Sequence, residues 1–251
     1  MPSLQDLSAI LKEMQIIDLS PLLYTNMPRW PSNPDVLIVE DARNYAQHGS
    51  FAQTLILPEH SGCHVDAPPH QHPDLAQQTI DTFPVNTLMG TAKKLDLSAE
   101  HYSPGDLVPL SKVKEVLERA SITIEPNDIV LFEFGWDRYL VDVEKKDRRE
   151  RNWWGENEPG LDDDLCRYLS EVGVKAVGSD TPACDIAAVQ GKITGGCAGH
   201  LTYFLPKGIL ILEGLHHLAQ VPATFYFMAF PLKIKGGSGS PLRPIALFPR
   251  A

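Results

Sequence analysis

The eleven residues His60-Ser61-Gly62-Cys63-His64-Val65-Asp66-Ala67-Pro68-Pro69-His70 restrict this chain more than any other stretch. A helix is opposed three times over there. Gly62 costs backbone entropy, Val65 is β-branched, and the Pro68-Pro69 pair removes two donors and fixes φ. Three of the nine histidines in the sequence fall inside the stretch, together with one carboxylate. Imidazole nitrogen and carboxylate oxygen are ligands of zinc, manganese and iron, so the stretch reads as half of a metal site.

An extended backbone suits these residues better. Alternate positions of a strand share a face, so His64 and Asp66 become neighbours about 6.6 Å apart. In a straight strand His60 would stand about 20 Å from Asp66, against metal bonds of roughly 2.0 to 2.2 Å. The chain therefore has to bend, and Ser61-Gly62 is where it can. The two prolines carry His70 around a rigid turn toward the same place. Two roles stay open for it: a further ligand, or an imidazole off the metal that relays protons near its ordinary pKa of about 6.5. Cys63 also keeps two readings, a soft ligand or a small residue filling a turn. His72, in a polar loop, reads as solvated.

An open catalytic site draws its remaining ligands from elsewhere in the fold. His200 follows the Gly195-Gly196-Cys197-Ala198-Gly199 loop, which can approach a site closely. Glu213 ends the apolar strand 208–212, where an unpaired carboxylate would be expensive. His216 and His217 are adjacent and so are expected to face different ways, at least one of them structural. His48 and His101 lie in polar loops and carry no signal.

The rest of the sequence bounds the setting. A net charge of −10 over 251 residues, without a basic face, argues against nucleic acid or an anionic membrane as partner. No apolar run reaches the roughly 18 residues of a membrane-spanning helix, and the N-terminus has no signal-peptide pattern, so the chain reads as soluble and cytoplasmic. Cys63, Cys166, Cys184 and Cys197 show no CxxC spacing, which points to reduced thiols rather than a disulfide framework.

Periodicity predicts an α/β fold with a mixed, strand-rich core. Leu4, Leu7, Ile10, Leu11 and Met14 recur at helical spacing behind Ser3 as a cap, so the first fifteen residues form an N-terminal helix suited to packing on the body or on a partner subunit. Strands are expected at 16–19, 36–39, 54–57, 91–97, 128–134, 175–178, 208–213, 223–231 and 243–248, helices at 111–120 and 162–172, and a flexible turn at 236–240. The charged run Asp142 to Arg151 reads as a solvated helix face, and Trp153-Trp154 after it as cover for something, such as a lid over a pocket. No linker divides the chain, so residues 1–251 are read as one domain.

His60 to His70 resembles the HxGTHxDxPxH signature of the cyclase-like metal-dependent hydrolases, a family that includes bacterial kynurenine formamidase and isatin hydrolase. Ile17-Asp18-Leu19-Ser20 with Pro28 to Pro31, Asp128 to Trp136, Gly178 to Pro182, and His200 with Glu213 look like further landmarks of that family, in order. The resemblance implies a swivelling β/β/α fold, a homodimer or homotetramer, and one or two zinc or manganese ions per subunit. By position it implies that His60, His64 and Asp66 bind a first metal, and that Asp66, His200 and Glu213 serve a second or complete the first. It makes His70 the proton donor and acceptor and Trp30 a substrate contact; a loop anchor packed on the core is the other reading of Trp30. Cys63 departs from the pattern, standing where the family has Thr.

The chemistry expected is hydrolysis of an amide or lactam C–N bond in a small, aromatic substrate, either an aryl formamide such as N-formylkynurenine or a cyclic amide such as isatin. The alternative is a non-haem iron(II) oxygenase built on His64, Asp66 and His200, which leaves His60, His70 and Glu213 without a role. A third reading, a metal-stabilised binding protein, would need a closed shell of ligands.

Overall fold

The computed structural model of the protein describes residues 3–140 and 152–250; the charged run Asp142 to Arg151 lies outside the described residues. Helix α1 (Leu4–Glu13) starts with a capping box, in which Ser3 Oγ accepts the Asp6 N–H at 3.1 Å and Asp6 accepts the Ser3 N–H at 2.7 Å. It runs directly into β1 (Met14–Asp18). A hairpin of β2 (Leu37–Arg43) and β3 (Ala52–Ile56) follows, with the single-turn helix α2 (Tyr45–His48) at its tip. None of the α1 residues is buried, so its apolar stripe does not pack on the body of this chain.

Next come β4 (His64–Asp66), β5 (Met89–Asp96), β6 (Leu107–Val108), α3 (Leu110–Ala120) and β7 (Ile129–Glu133). The second half holds α4 (Trp153–Glu156), β8 (Gly160–Leu161), α5 (Asp163–Val172), β9 (Ala176–Ser179) and the hairpin β10 (Ile186–Val189) and β11 (Lys192–Gly196). It closes with β12 (Leu210–Glu213), β13 (Thr224–Met228), β14 (Gly239–Pro241) and β15 (Ile245–Pro249). Among the described residues the main sheet has nine strands in the order β1-β15-β13-β5-β7-β9-β12-β4-β14. The four middle strands, β5, β7, β9 and β12, are parallel, and the pairings outside them are antiparallel.

Strand β7 shows why the centre is parallel. Its run Ile129-Val130-Leu131-Phe132 is buried on both faces, as parallel strands covered on two sides must be. Val130 and Phe132 pack with Val113 and Val116 of α3 and Leu165 and Leu169 of α5. Ile129 and Leu131 face the other way, into a cluster with Val65, Leu212, Phe225, Phe227 and Ala246. Strands as distant in the sheet order as β4 and β13 share that second cluster, so the sheet curls around it. This is the strand-rich α/β architecture expected from the sequence. Residues 236–240 depart from the expectation: Gly239–Pro241 form an edge strand that pairs with β4 instead of a free turn.

Trp153 and Trp154 are not a lid. Trp154 is 4% exposed within the helix-side core, and its Nε1 donates to the Asp180 carbonyl at 3.2 Å. Trp153 stacks on Trp136 with ring centroids 5.6 Å apart and tilts against Tyr139 at 4.4 Å. Burial of three large rings, rather than cover for a pocket, is what keeps these tryptophans in place.

Candidate metal centre and its pocket

Strand β4 carries His64 and Asp66 on one face, as the period of two requires, and its neighbours supply the rest. β12 pairs with it antiparallel, and the register sets Glu213 opposite His64, bringing His64 Nε2 to 3.3 Å from Glu213 Oε2. Gly62 makes the bend that returns His60. Its φ is +58°, and a Cβ there would lie 2.7 Å from Leu23 Cδ2. His60 Nδ1 thereby comes to 2.6 Å from Asp66 Oδ1. Pro68 to His70 form one turn of 3₁₀ helix, which brings His70 Nε2 to 3.9 Å from Asp66 Oδ2 and the His70 ring to 3.9 Å from that of His60.

His200 arrives from the helix-covered face of the sheet in a single wide π-turn, Gly199–Tyr203, a conformation that recurs at functional sites. Its Nε2 lies 3.3 Å from Asp66 Oδ2 and 3.5 Å from Glu213 Oε1. Asp185, fully buried, fixes this turn. One of its oxygens accepts the Gly199 and His200 N–H groups at 2.6 and 3.1 Å, and the other binds His200 Nδ1. His72, expected in solvent, is half-buried, and its Nε2 donates to the His200 carbonyl at 2.8 Å. The prolines that turn His70 inward carry His72 in with it.

Hydrogen-bond directions reveal what the gap between these groups is built for. His64 Nδ1 faces the Gly62 carbonyl at 3.0 Å and must carry its proton there, leaving the inner Nε2 with a lone pair. His200 Nδ1 is likewise committed to the Asp185 carboxylate. Ser238 Oγ donates to Glu59 at 2.7 Å and so accepts from His60 Nε2 at 2.9 Å, which turns the His60 Nδ1 lone pair inward. Three imidazole lone pairs then face the carboxylates of Asp66 and Glu213, both at most 5% exposed. Lone pair against lone pair is stable only if protons or a cation fill the gap.

In the protein alone, protons fill it. Burial opposes charge on His64, yet the hydrogen bond to Glu213 and the charges of Asp66 and Glu213 outweigh burial and raise the imidazole to about 9. Burial also opposes charge on His200, and Asp185 overrides it, holding that imidazole well above the ordinary range. His70 behaves in the opposite way: burial, helped by the charges of His60, His200 and His64 against the pull of Asp66, takes it down to about 4. A divalent cation would meet the same demand for positive charge. Among the described residues two groups have ligand atoms all within 4.8 Å of one another, His60-His64-Asp66 and Asp66-His70-His200. The donor set therefore fits a divalent metal. Glu213 lies outside both groups but touches His64 and His200.

Beside these residues is a cavity of about 150 Å³. Trp30, Pro182, Ile186 and Ile193 form its apolar walls, with Asn33 and Gln71 as polar edges. Trp30 is therefore a wall residue, and Arg29, Asn152 and Gly155 brace its loop: the Arg29 N–H bonds Asn152 Oδ1 at 2.8 Å, and a Cβ on Gly155 would meet the Arg29 carbonyl. Cys63 joins neither metal group. It is 2% exposed among Leu19, Val65 and Leu215, which settles it as a small core residue. The rings of His216 and His217 do not diverge. His217 has φ +58°, so the rings lie 4.1 Å apart, with His216 Nδ1 3.2 Å from Asp137 and His217 Nδ1 donating to the Asp18 carbonyl at 3.0 Å.

Sequence reasoning missed Asp185, His72, Ser238 and Glu59. Each sits in a loop, and each acts on a histidine through the fold rather than through spacing. Asp185 had the most signal, as an acid in an otherwise apolar stretch from Pro182 to Val189.

This arrangement, a curled mixed sheet with a histidine–carboxylate centre across β4 and β12, belongs to a known class. The family model described as "Putative cyclase" matches residues 17–186, and the chain belongs to that family. Among its relatives are a kynurenine formamidase of Salinibacter ruber, 28% identical over 92% of this chain and 97% of the relative, and an isatin hydrolase of Roseibium aggregatum, 26% identical over 95% and 94%. A crystal structure of an isatin hydrolase bound to the product analogue thioisatinate superposes with a TM-score of 0.85 at 26% identity, covering 98% of each chain. The oxygenase reading is not favoured: these relatives are hydrolases, and His60, His70 and Glu213 converge with His64, Asp66 and His200 instead of standing apart.

Proposed function

We propose that this protein is a metal-dependent hydrolase that opens an amide or lactam C–N bond of a small substrate. The observation that carries the reading is the set of three imidazoles, His60, His64 and His200, each with its outer nitrogen bonded away and its inner nitrogen turned on Asp66 or Glu213. The relatives' names support the reaction class. His60, His64, Asp66, His200 and Glu213 would hold one or two ions, zinc or manganese, with Asp66 at the centre of the set. A divalent ion there polarises a carbonyl oxygen and makes water a stronger acid.

The chain's own residues do the rest. His70, half-buried at the cavity and pulled down to about 4, is neutral at pH 7 and able to accept a proton at a ring nitrogen. The oxygen of water bonds to the carbonyl carbon, the C–N bond breaks, His70 passes one proton of that water to the leaving nitrogen, and the other is released as the new acid ionises. The products are a carboxylate and an amine. Trp30, Ile186 and Ile193 form an apolar wall, and the Trp30 ring can stack on an aromatic substrate, either an aryl formamide or a cyclic aryl amide.

The working form we propose is a homodimer or homotetramer in the cytoplasm, read as one domain. Leu4, Leu7, Ile10 and Leu11 of α1 are 43–82% exposed, and Leu55 and Ile56 of the β2–β3 hairpin are about half exposed, an apolar surface suited to a second copy. Four unpaired thiols suit a reducing compartment. The test is metal analysis of the purified protein, then turnover of N-formylkynurenine, isatin and simple lactones with zinc or manganese supplied, in air and under nitrogen. Equal hydrolysis in both atmospheres is expected. Absence of bound metal together with absence of hydrolysis on all of them would refute the reading.

A further inference from the structure

We propose that Glu158 is a positioning residue of the metal centre: it holds the turn 183–185, and through that turn it sets the placement of Glu213 and His200. The inference rests on the metal-site reading above. Glu158 lies between α4 and β8, is fully buried, and lines no part of the cavity. Its Oε2 accepts the Ala183 N–H at 2.7 Å. The next amide, that of Cys184, donates to Glu213 Oε1 at 3.1 Å, and the next side chain, Asp185, binds His200. Three consecutive residues thus tie Glu158, Glu213 and His200 to one turn.

The backbone of Glu158 anchors the other end. It bridges Ala188 through two hydrogen bonds of 3.0 Å, so β10, with the cavity residue Ile186, is fastened to the same point. An apolar residue at 158 would fill the space but leave the buried Ala183 amide without an acceptor, and the turn would move to find one. What the turn needs is the acceptor rather than a negative charge. Burial, with the neighbouring charges of Glu213 and Asp185, pushes the Glu158 carboxyl well above the usual range, which disfavours its charged form. Its second oxygen, Oε1, has no partner among the described residues, so Oε2 alone makes the side-chain contact that holds the turn.

The test compares Glu158→Gln, which keeps an acceptor on a neutral side chain of the same shape, with Glu158→Ala. Zinc and manganese affinity is measured by competition with a chromophoric chelator on metal-free protein whose folding is checked by circular dichroism. The Gln variant is expected to bind within about twofold of wild type, and the Ala variant about 10- to 100-fold more weakly, as for other residues that orient metal ligands. Should Glu158→Ala fail to fold, Glu158→Leu, which restores volume without an acceptor, carries the same expectation. Wild-type affinity in the folded Ala or Leu variant would overturn the proposal, and so would a Gln variant as weak as Ala. A wild-type protein that binds neither ion would refute the proposed function, and this inference with it.

Discussion

Replacing Asp185 by Asn tests the metal centre through a single proton. Asp185 gives one oxygen to the backbone of Gly199 and His200 and the other to His200 Nδ1. Asn has one acceptor and one donor end. The two backbone N–H groups claim its oxygen, so its NH₂ faces His200 Nδ1, which must then become the lone-pair nitrogen. In the neutral ring, the form that binds metal, the proton then sits on Nε2, the nitrogen 3.3 Å from Asp66 Oδ2. An Nε2–H is a good donor to Asp66 but no ligand for a metal. Asn also lacks the charge that holds the His200 imidazole up, so the metal-free protein should fold but melt lower at neutral pH, while metal affinity falls by about 10- to 100-fold, or about 1.4 to 2.7 kcal/mol. Chelator competition gives the affinity and thermal melting the stability. A variant that binds metal like wild type, or that loses its fold before its metal, would refute the tautomer argument.

His70→Ala should retain bound metal and lose about 10²- to 10⁴-fold in turnover, whereas Asp66→Ala should lose the metal as well; equal metal loss in both, by elemental analysis, would make His70 a ligand. Metal-free protein should be most stable near pH 6.5. His64, raised to about 9, stabilises the fold below about pH 6.5 and loses that contribution as pH rises through 9, an effect of the order of 3 kcal/mol. His70, lowered to about 4, acts in the other direction, removing stability as pH falls from 6.5 through 4. Melting temperatures that are flat or rising from pH 6.5 to 9 would contradict this. Gly214→Ala should destabilise by at least about 1–3 kcal/mol, because its φ is +64° and the new Cβ would lie 2.6 Å from the Gly62 carbonyl oxygen. That oxygen also holds His64 Nδ1, so metal affinity should fall alongside the melting temperature.

Much of the fold was legible because its signals are local. Ile129 to Phe132 is too apolar to be anything but a strand covered on both faces, and α3 and α5 show their buried stripes directly in the spacing of Val113, Val116, Leu165 and Leu169. Ligand identity was legible for the same reason: few residue types bind divalent metals, and Gly62 and the Pro68-Pro69 pair mark where the backbone turns. Tryptophan pairs carry no such direction, so their spacing alone reads as a lid, whereas Trp136 and Tyr139 pack against Trp153. Nor does spacing distinguish a solvated His72 from one bonded to the His200 carbonyl, since the two are 128 positions apart.

By itself the sequence determined which atoms could ligate, that His64 and Asp66 share a face, and that His60 and His70 must be turned back toward them. These are consequences of residue chemistry and of the period of an extended chain, and they hold before anything packs. Only the tertiary structure decided the rest. The antiparallel register of β4 on β12 sets Glu213 opposite His64, and Asp185 fixes which nitrogen of His200 faces the site. Position along the chain encodes neither, because sheet register and tautomer are set by which distant groups are brought within hydrogen-bond distance.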